Sequence, residues 1–257
     1  MLISVAQTQI FVLALTRVLM ILLALPFLGG NLVPNQVKII LGVVLTMFML
    51  PWQPALPPDA DAMPLFAFLV SMVKEVIIGA MAGMAATLIF GVFQVAAKMM
   101  EMGAGFSAAQ IFNPTLGDTG SAYDQLLVLI IYLYFFAING HHIFLIGLTR
   151  TFQVLPINSP LDSLISMGMG RFLELFTMMI TSGIQMALPI MGSILLADIT
   201  LGLLSKVAPQ IQVFFLGINI KIWVGLLGVI YVLSFMTPII RNMFNMMGTM
   251  MTKLLGA

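Results

Sequence analysis

The sequence contains no cysteine. Disulfides and thiolate metal sites are therefore excluded. Charge is almost as scarce. Ten Lys and Arg and nine Asp and Glu make up 7% of 257 residues, where an ordinary soluble domain carries roughly 25% charged residues. The formal net charge of +1 and the single, scattered basic residues give no electrostatic basis for binding nucleic acid. There is too little polar surface to cover a soluble protein of this size, and 61% of the residues are hydrophobic. The chain reads as an integral membrane protein. Lipid cannot hydrogen-bond an exposed backbone, so spanning elements are helices or a closed barrel. The uncharged runs are too long and too rich in Leu, Met and Ala for the short alternating strands of a barrel. The predicted fold class is all-α.

The N-terminal "MLISVAQTQIFVLALTRVLM" lacks a basic leader and carries Arg17 inside its apolar run, which predicts a retained first helix. A bilayer core takes about 20 apolar residues as helix. Six stretches approach that length: 18–37, 39–58, 76–97, 125–149, 175–197 and 222–240. Pro, Gly and Asn clusters at 26–34, 51–64, 103–120 and 155–160 mark the turns. Charge sits within or beside the apolar helices at Arg17, Lys74 and Glu75, Arg171 and Glu174, Asp198 and Lys221, where bilayer depth costs at least about 2.5 kcal/mol per charged group. For Arg171 and Glu174 the simpler reading is an interfacial i,i+3 pair. Lys221 fits either a hairpin turn beside Gly217 or a buried polar position. Gly79, Gly83, Thr87 and Gly91 recur every four positions and line one helix face with small side chains, which lets a second backbone approach closely.

No constellation suggests catalysis, and no cofactor or metal is expected. His141 and His142 are adjacent and point to different sides of a helix, whereas a helical zinc pair needs i,i+4 spacing. "GMGRFL" lacks the third glycine of a dinucleotide loop, and no phosphate-binding loop with its lysine is present. Broken helices and intramembrane charges also suit a secondary transporter of small solutes. Against that reading, the chain has no convincing internal repeat and its charges do not gather at one depth in matched halves.

The segment "GAGFSAAQIFNPTLGDTG", residues 103–120, combines four glycines with Phe106, Ile111 and Phe112. The order of "GFSAAQIFNPTLG", "INGHH" and "APQIQVFFLGINIKIWVGL" resembles the FliR family, the R subunit of the flagellar type III export gate, which is similar to the T subunit of virulence type III secretion systems. The resemblance covers essentially the whole chain and favours the flagellar branch. It implies a structural channel subunit that forms the inner-membrane pore for unfolded flagellar substrates, located in the bacterial inner membrane at the flagellar basal body. Its implied partners are P-type and Q-type membrane subunits, a substrate-switching membrane protein of the FlhB type, the unfolded export substrates and membrane lipid. The implied fold is a set of stacked helical hairpins, with residues 1–185 like the P subunit and 186–257 like the Q subunit. Hydrophobic segments of such a fold need not all cross the bilayer. The family places segment 103–120 inside the channel as a plug, with Phe106, Ile111, Phe112, Asn113 and Pro114 as its gating residues. Glycine mobility and apolar side chains suit a water-excluding constriction. The virulence branch and the small-solute transporter remain as alternatives.

The C-terminal "RNMFNMMGTMMTKLLGA" places Met243, Met246, Met247, Met250, Met251 and Leu254 on one helical stripe. The stripe lies either in the lipid interface or against adjacent subunits. An interfacial anchor usually brings many Lys and Arg on its polar face. With only Arg241 and Lys253 here, subunit packing through Met243, Met246, Met247 and Met250 is favoured, with Lys221 as a further subunit contact.

Overall fold

The computed structural model describes residues 4–29, 33–49, 62–106, 122–157, 168–210 and 212–256. The described residues contain nine α-helices and no strand: α1 Val5–Ala24, α2 Pro26–Gly29, α3 Asn35–Met49, α4 Leu65–Ala104, α5 Ala122–Ala137, α6 Gly140–Val154, α7 Gly168–Val207, α8 Val213–Phe235 and α9 Thr237–Lys253. The all-α membrane class expected from composition is the observed one.

Local chemistry sets the helix ends. Ser4 caps α1 through a reciprocal box: Gln7 N–H donates to Ser4 Oγ at 3.2 Å, and Ser4 N–H donates to Gln7 Oε1 at 3.1 Å, so two orphan donors are satisfied together. α1 stops at Leu25, which is extended (φ −66°, ψ 129°) because it precedes Pro26. α3 and α4 each start directly after a proline, Pro34 and Pro64, whose carbonyls accept from Lys38 and Phe68 N–H. α7 ends at Val207 because Ala208 precedes Pro209. Asn139 adopts the left-handed conformation (φ 59°, ψ 31°) and separates α5 from α6. Asparagine tolerates that region better than other residues with a Cβ.

The six sequence-derived spans resolve differently. Residues 18–37 are not one helix, 125–149 break at Asn139, and 222–240 break at Met236. Among the described residues, three helices are long and apolar enough to cross a membrane, α1, α4 and residues 170–207 of α7, or up to four if α5 and α6 count as one broken span. α4 and α7 each run 40 residues, about 60 Å at the α-helical rise. A hydrocarbon core is about 30 Å thick. Part of each long helix therefore lies outside any acyl layer it crosses.

The chain divides into two compact units. Unit 1 comprises Met1–Phe90, Asn139–Phe176 and Met243–Ala257. Its core is built on α1 (Leu13, Val18, Ile21), the first part of α4 (Ile78, Ala82, Phe90), α6 (Leu148, Phe152) and the end of α9 (Phe244, Met247, Met251), all buried. The Phe90 ring packs against Phe27 (5.7 Å between centroids) and Phe244 (5.3 Å). Unit 2 comprises Gly91–Ile138 and Thr177–Asn242. Its core joins Phe93, Ala97 and Ala104 of α4, Tyr123 and Phe135 of α5, and Ile190 of α7. Both units are assembled from segments distant in sequence.

Candidate functional site

Unit 2 holds both ends of the glycine-rich segment. α4 closes in a Schellman motif: Phe106 N–H donates to Glu101 O and Gly105 N–H donates to Met102 O, each at 3.3 Å, with Gly105 at φ +79°. This satisfies carbonyls that a helix end leaves without partners, and glycine carries no Cβ penalty there. The reversed chain directs the Phe106 ring onto Tyr123 in the first turn of α5, stacked at 4.7 Å with 16° between planes. Tyr123 is buried, and its hydroxyl donates to the Gly225 carbonyl of α8 at 3.1 Å. A Cβ on Gly225 would lie 2.9 Å from Ala104 Cβ, 3.6 Å from the Phe106 ring and 3.8 Å from the Tyr123 ring. The three helices meet where no side chain fits. Of the five gating residues expected from sequence, Phe106 alone is described. Ile111, Phe112, Asn113 and Pro114 lie outside the described residues.

Beside this stem, Gln94, Val95, Lys98, Asp124, Gln125 and Val128 line a cavity of about 490 Å³. Lys98 Nζ lies 3.0 Å from Oε2 of the buried Glu101. Sequence reading passed over this cluster. Its signal was an i,i+3 charge pair in an otherwise apolar stretch.

Unit 1 buries a second set of charges. Arg17 Nε donates to Glu75 Oε2 at 2.5 Å, and neither side chain has any exposure. Arg17 Nη1 donates to the Thr151 and Leu155 carbonyls at 3.1 and 2.6 Å. Its guanidinium carbon sits 4.4 Å from the Phe152 ring centroid. Lys74 Nζ donates to Ile157 O at 2.6 Å. Arg17 of α1 thus meets the C-terminal end of α6, where the helix dipole is negative, and Lys74 of α4 meets a carbonyl just beyond it. The small face of α4 begins one turn further on. Gly79 lies against Arg17 and Met20, and Gly83 lies against Ile21 and Ala24. Thr87 Oγ1 donates to Ala24 O at 2.5 Å. Gly91, in unit 2, faces the thioether of Met179.

Three sequence readings change. Arg171 and Glu174 both reach the end of α9: Arg171 donates to Lys253 O at 2.5 Å, and Lys253 Nζ lies 2.6 Å from Glu174 Oε1. Lys221 is no turn residue. The turn falls at Pro209, and Lys221 lies inside α8 with its ammonium 2.5 Å from Asp198 of α7. The methionine stripe is largely internal to the chain. Met243, Met247 and Met251 are buried in unit 1, while Met246 and Met250 are only half-buried. The cause is a glycine crossing, where a Cβ on Gly147 would meet Gly248 Cα at 2.9 Å and α9 presses directly on α6. Met243 and Met247 are therefore core residues, leaving Met246 and Met250 at the stripe's edge.

The Lys221 pair is partly exposed, at 25% and 45% for the two side chains. Exposed pairs contribute about 0–1 kcal/mol. Lys221→Met should lower the melting temperature slightly, and Lys221→Met with Asp198→Asn should recover it. Loss of complex assembly that persists in the double variant would instead make Lys221 a contact to another subunit.

The family model of "Bacterial export proteins, family 1" matches residues 8–247. Among curated proteins, the chain is 26% identical over 250 residues to the flagellar biosynthetic protein FliR of Bacillus subtilis (strain 168), covering 96% of this chain and 94% of the relative. It is 27% identical over 237 residues to FliR of Escherichia coli (strain K12), covering 90% and 87%. It is 24% identical over 229 residues to FliR of Aquifex aeolicus (strain VF5), covering 89% and 87%. The apolar all-helical architecture and a family match across nearly the whole length together place this chain in family 1 of the bacterial export proteins, the FliR family, as a membrane component of flagellar export.

Proposed function

We propose that this chain is a structural channel subunit of the flagellar type III export gate in the bacterial inner membrane, at the flagellar basal body, and not an enzyme. It forms the pore through which unfolded substrates pass, together with P-type and Q-type subunits and a substrate-switching protein of the FlhB type. In this reading residues 1–185 correspond to the P subunit and 186–257 to the Q subunit. The apolar surface of α7 supports such packing. Only 22% of its most apolar window is buried within the chain, against 56% for α4, so lipid or neighbouring helices must cover the rest. The half-buried Met246 and Met250 offer a smaller contact of the same kind.

The observation that carries the reading is the glycine-rich segment bearing Phe106, Ile111 and Phe112, joined at both ends to one compact stem. A pore wide enough for an unfolded chain would pass ions when idle, and an apolar constriction excludes water. Segment 103–120 acts as that plug, with Phe106, Ile111, Phe112, Asn113 and Pro114 as its gating residues. Deletion of residues 107–114, with Phe106 and Tyr123 retained, should leave assembly intact and make membranes containing the gate permeable to ions. An assembled deletion mutant with a tight membrane would overturn the plug.

A further inference from the structure

We propose that Phe106, Tyr123 and Gly225 form a fixed anchor that positions the glycine-rich segment, so that the stem stays closed on α8 while substrate passes. The inference rests on the plug reading and identifies which part of the device does not move.

Four independent contacts converge on the stem. The Schellman motif fixes the direction in which the chain leaves α4. The Phe106 and Tyr123 rings join the residues flanking the segment. The Tyr123 hydroxyl ties that pair to a backbone carbonyl rather than to a movable side chain. Gly225 admits Ala104, Phe106 and Tyr123 at van der Waals range or closer, and Ala104 and Tyr123 are 0% and 2% exposed. Local opening is easiest where buried apolar contacts are few, and here they are dense. Cavities of about 490 and 550 Å³ flank the stem, reaching Asp124 on one side and Val224 on the other, but neither is lined by Phe106, Tyr123 or Gly225. Tyr123 is accordingly a positioning residue: it touches the segment's foot and acts through it.

A ring stack and a neutral hydrogen bond each correspond to roughly a two- to twelve-fold change in a local equilibrium. Hydrogen exchange on the assembled gate reads the stem directly, through the Gly105 and Phe106 amides that close the Schellman motif. Tyr123→Leu should speed their exchange about tenfold or more and raise ion leakage with assembly unchanged. Tyr123→Phe keeps the stack and should give about a threefold effect. Exchange at the same two amides, compared between the idle gate and a gate with a substrate arrested in the pore, reads whether the stem opens in transit. In the Tyr123-containing gate the arrested substrate should leave that exchange unchanged.

Unchanged stem exchange in Tyr123→Leu overturns the anchor. So does faster exchange of the Gly105 and Phe106 amides when a substrate is arrested in the gate, because the stem would then have to open. Faster exchange with a tight membrane overturns the positioning role, provided that deletion of 107–114 leaks. If that deletion is also tight, the plug reading is what fails, and the anchor stands on exchange alone.

Discussion

Arg17→Met should be among the most damaging single substitutions in this chain, lowering stability by about 3–5 kcal/mol. The substitution keeps an apolar stem of similar length and removes the guanidinium, which leaves the fully buried Glu75 carboxyl without its counterion. It also strips a donor from the Leu155 carbonyl at the end of α6. The Thr151 carbonyl suffers less, because it accepts from the Leu155 N–H as well. Glu75→Gln should cost less than Arg17→Met, since the amide oxygen can still accept from Nε and Arg17 keeps its two carbonyls and the Phe152 face. The double variant Arg17→Met, Glu75→Met should be more stable than Arg17→Met alone. The native pair is incompletely satisfied, with Arg17 Nη2 and Glu75 Oε1 buried without a hydrogen-bond partner, and neutral apolar replacements of buried ion pairs are often tolerated. Melting temperatures of the purified chain in detergent rank the three variants. A double variant worse than both singles would mean that the charges contribute net stability beyond mutual neutralisation.

Gly83→Val should cost about 1–3 kcal/mol or more through overpacking, and Gly79→Val should match it. The new Cβ atoms would lie 2.6 Å from Ala24 Cβ and 2.8 Å from the Arg17 carbonyl oxygen. Neither neighbour is the movable tip of a long side chain, so α1 itself must shift. Such a shift would also disturb the Arg17–Glu75 contact one turn away, so the two losses should be coupled and not additive. Gly192→Ala and Gly202→Ala supply the opposite sign in the same measurement. Nothing lies within 4 Å of either added Cβ, and alanine in a helix interior is favoured over glycine by roughly 0.8–1.0 kcal/mol. If all four substitutions changed the melting temperature alike, helix propensity and not the α1–α4 approach would govern unit 1.

The sequence by itself determined the features whose physics is local. Scarcity of charge dictated an apolar helical membrane protein, and the breaks at Leu25, Ala104 and Val207 follow from Pro26, Gly105 and Pro209. The four-residue spacing of Gly79, Gly83 and Thr87 marked a close helix approach before its partner, α1, was visible. The foot of the glycine-rich segment was not legible in advance, because the resemblance makes Phe106 a gating residue and only the structure shows it stacked on Tyr123. Tertiary structure alone decided who meets whom. Arg17 and Glu75 are 58 positions apart, and Arg17 and Leu155 are 138 apart. Tyr123 reaches Gly225 across 102. No local pattern encodes these separations, and in helices apolar on nearly every side, hydropathy does not distinguish a face that packs on the chain from one left for lipid or partners. That uniformity hid the Pro209 turn behind Lys221 and left the amphipathic stripe of α9 open to lipid or another subunit. The Gly147–Gly248 crossing decided it: with no side chain to hold α6 and α9 apart, Met243, Met247 and Met251 close on their own core.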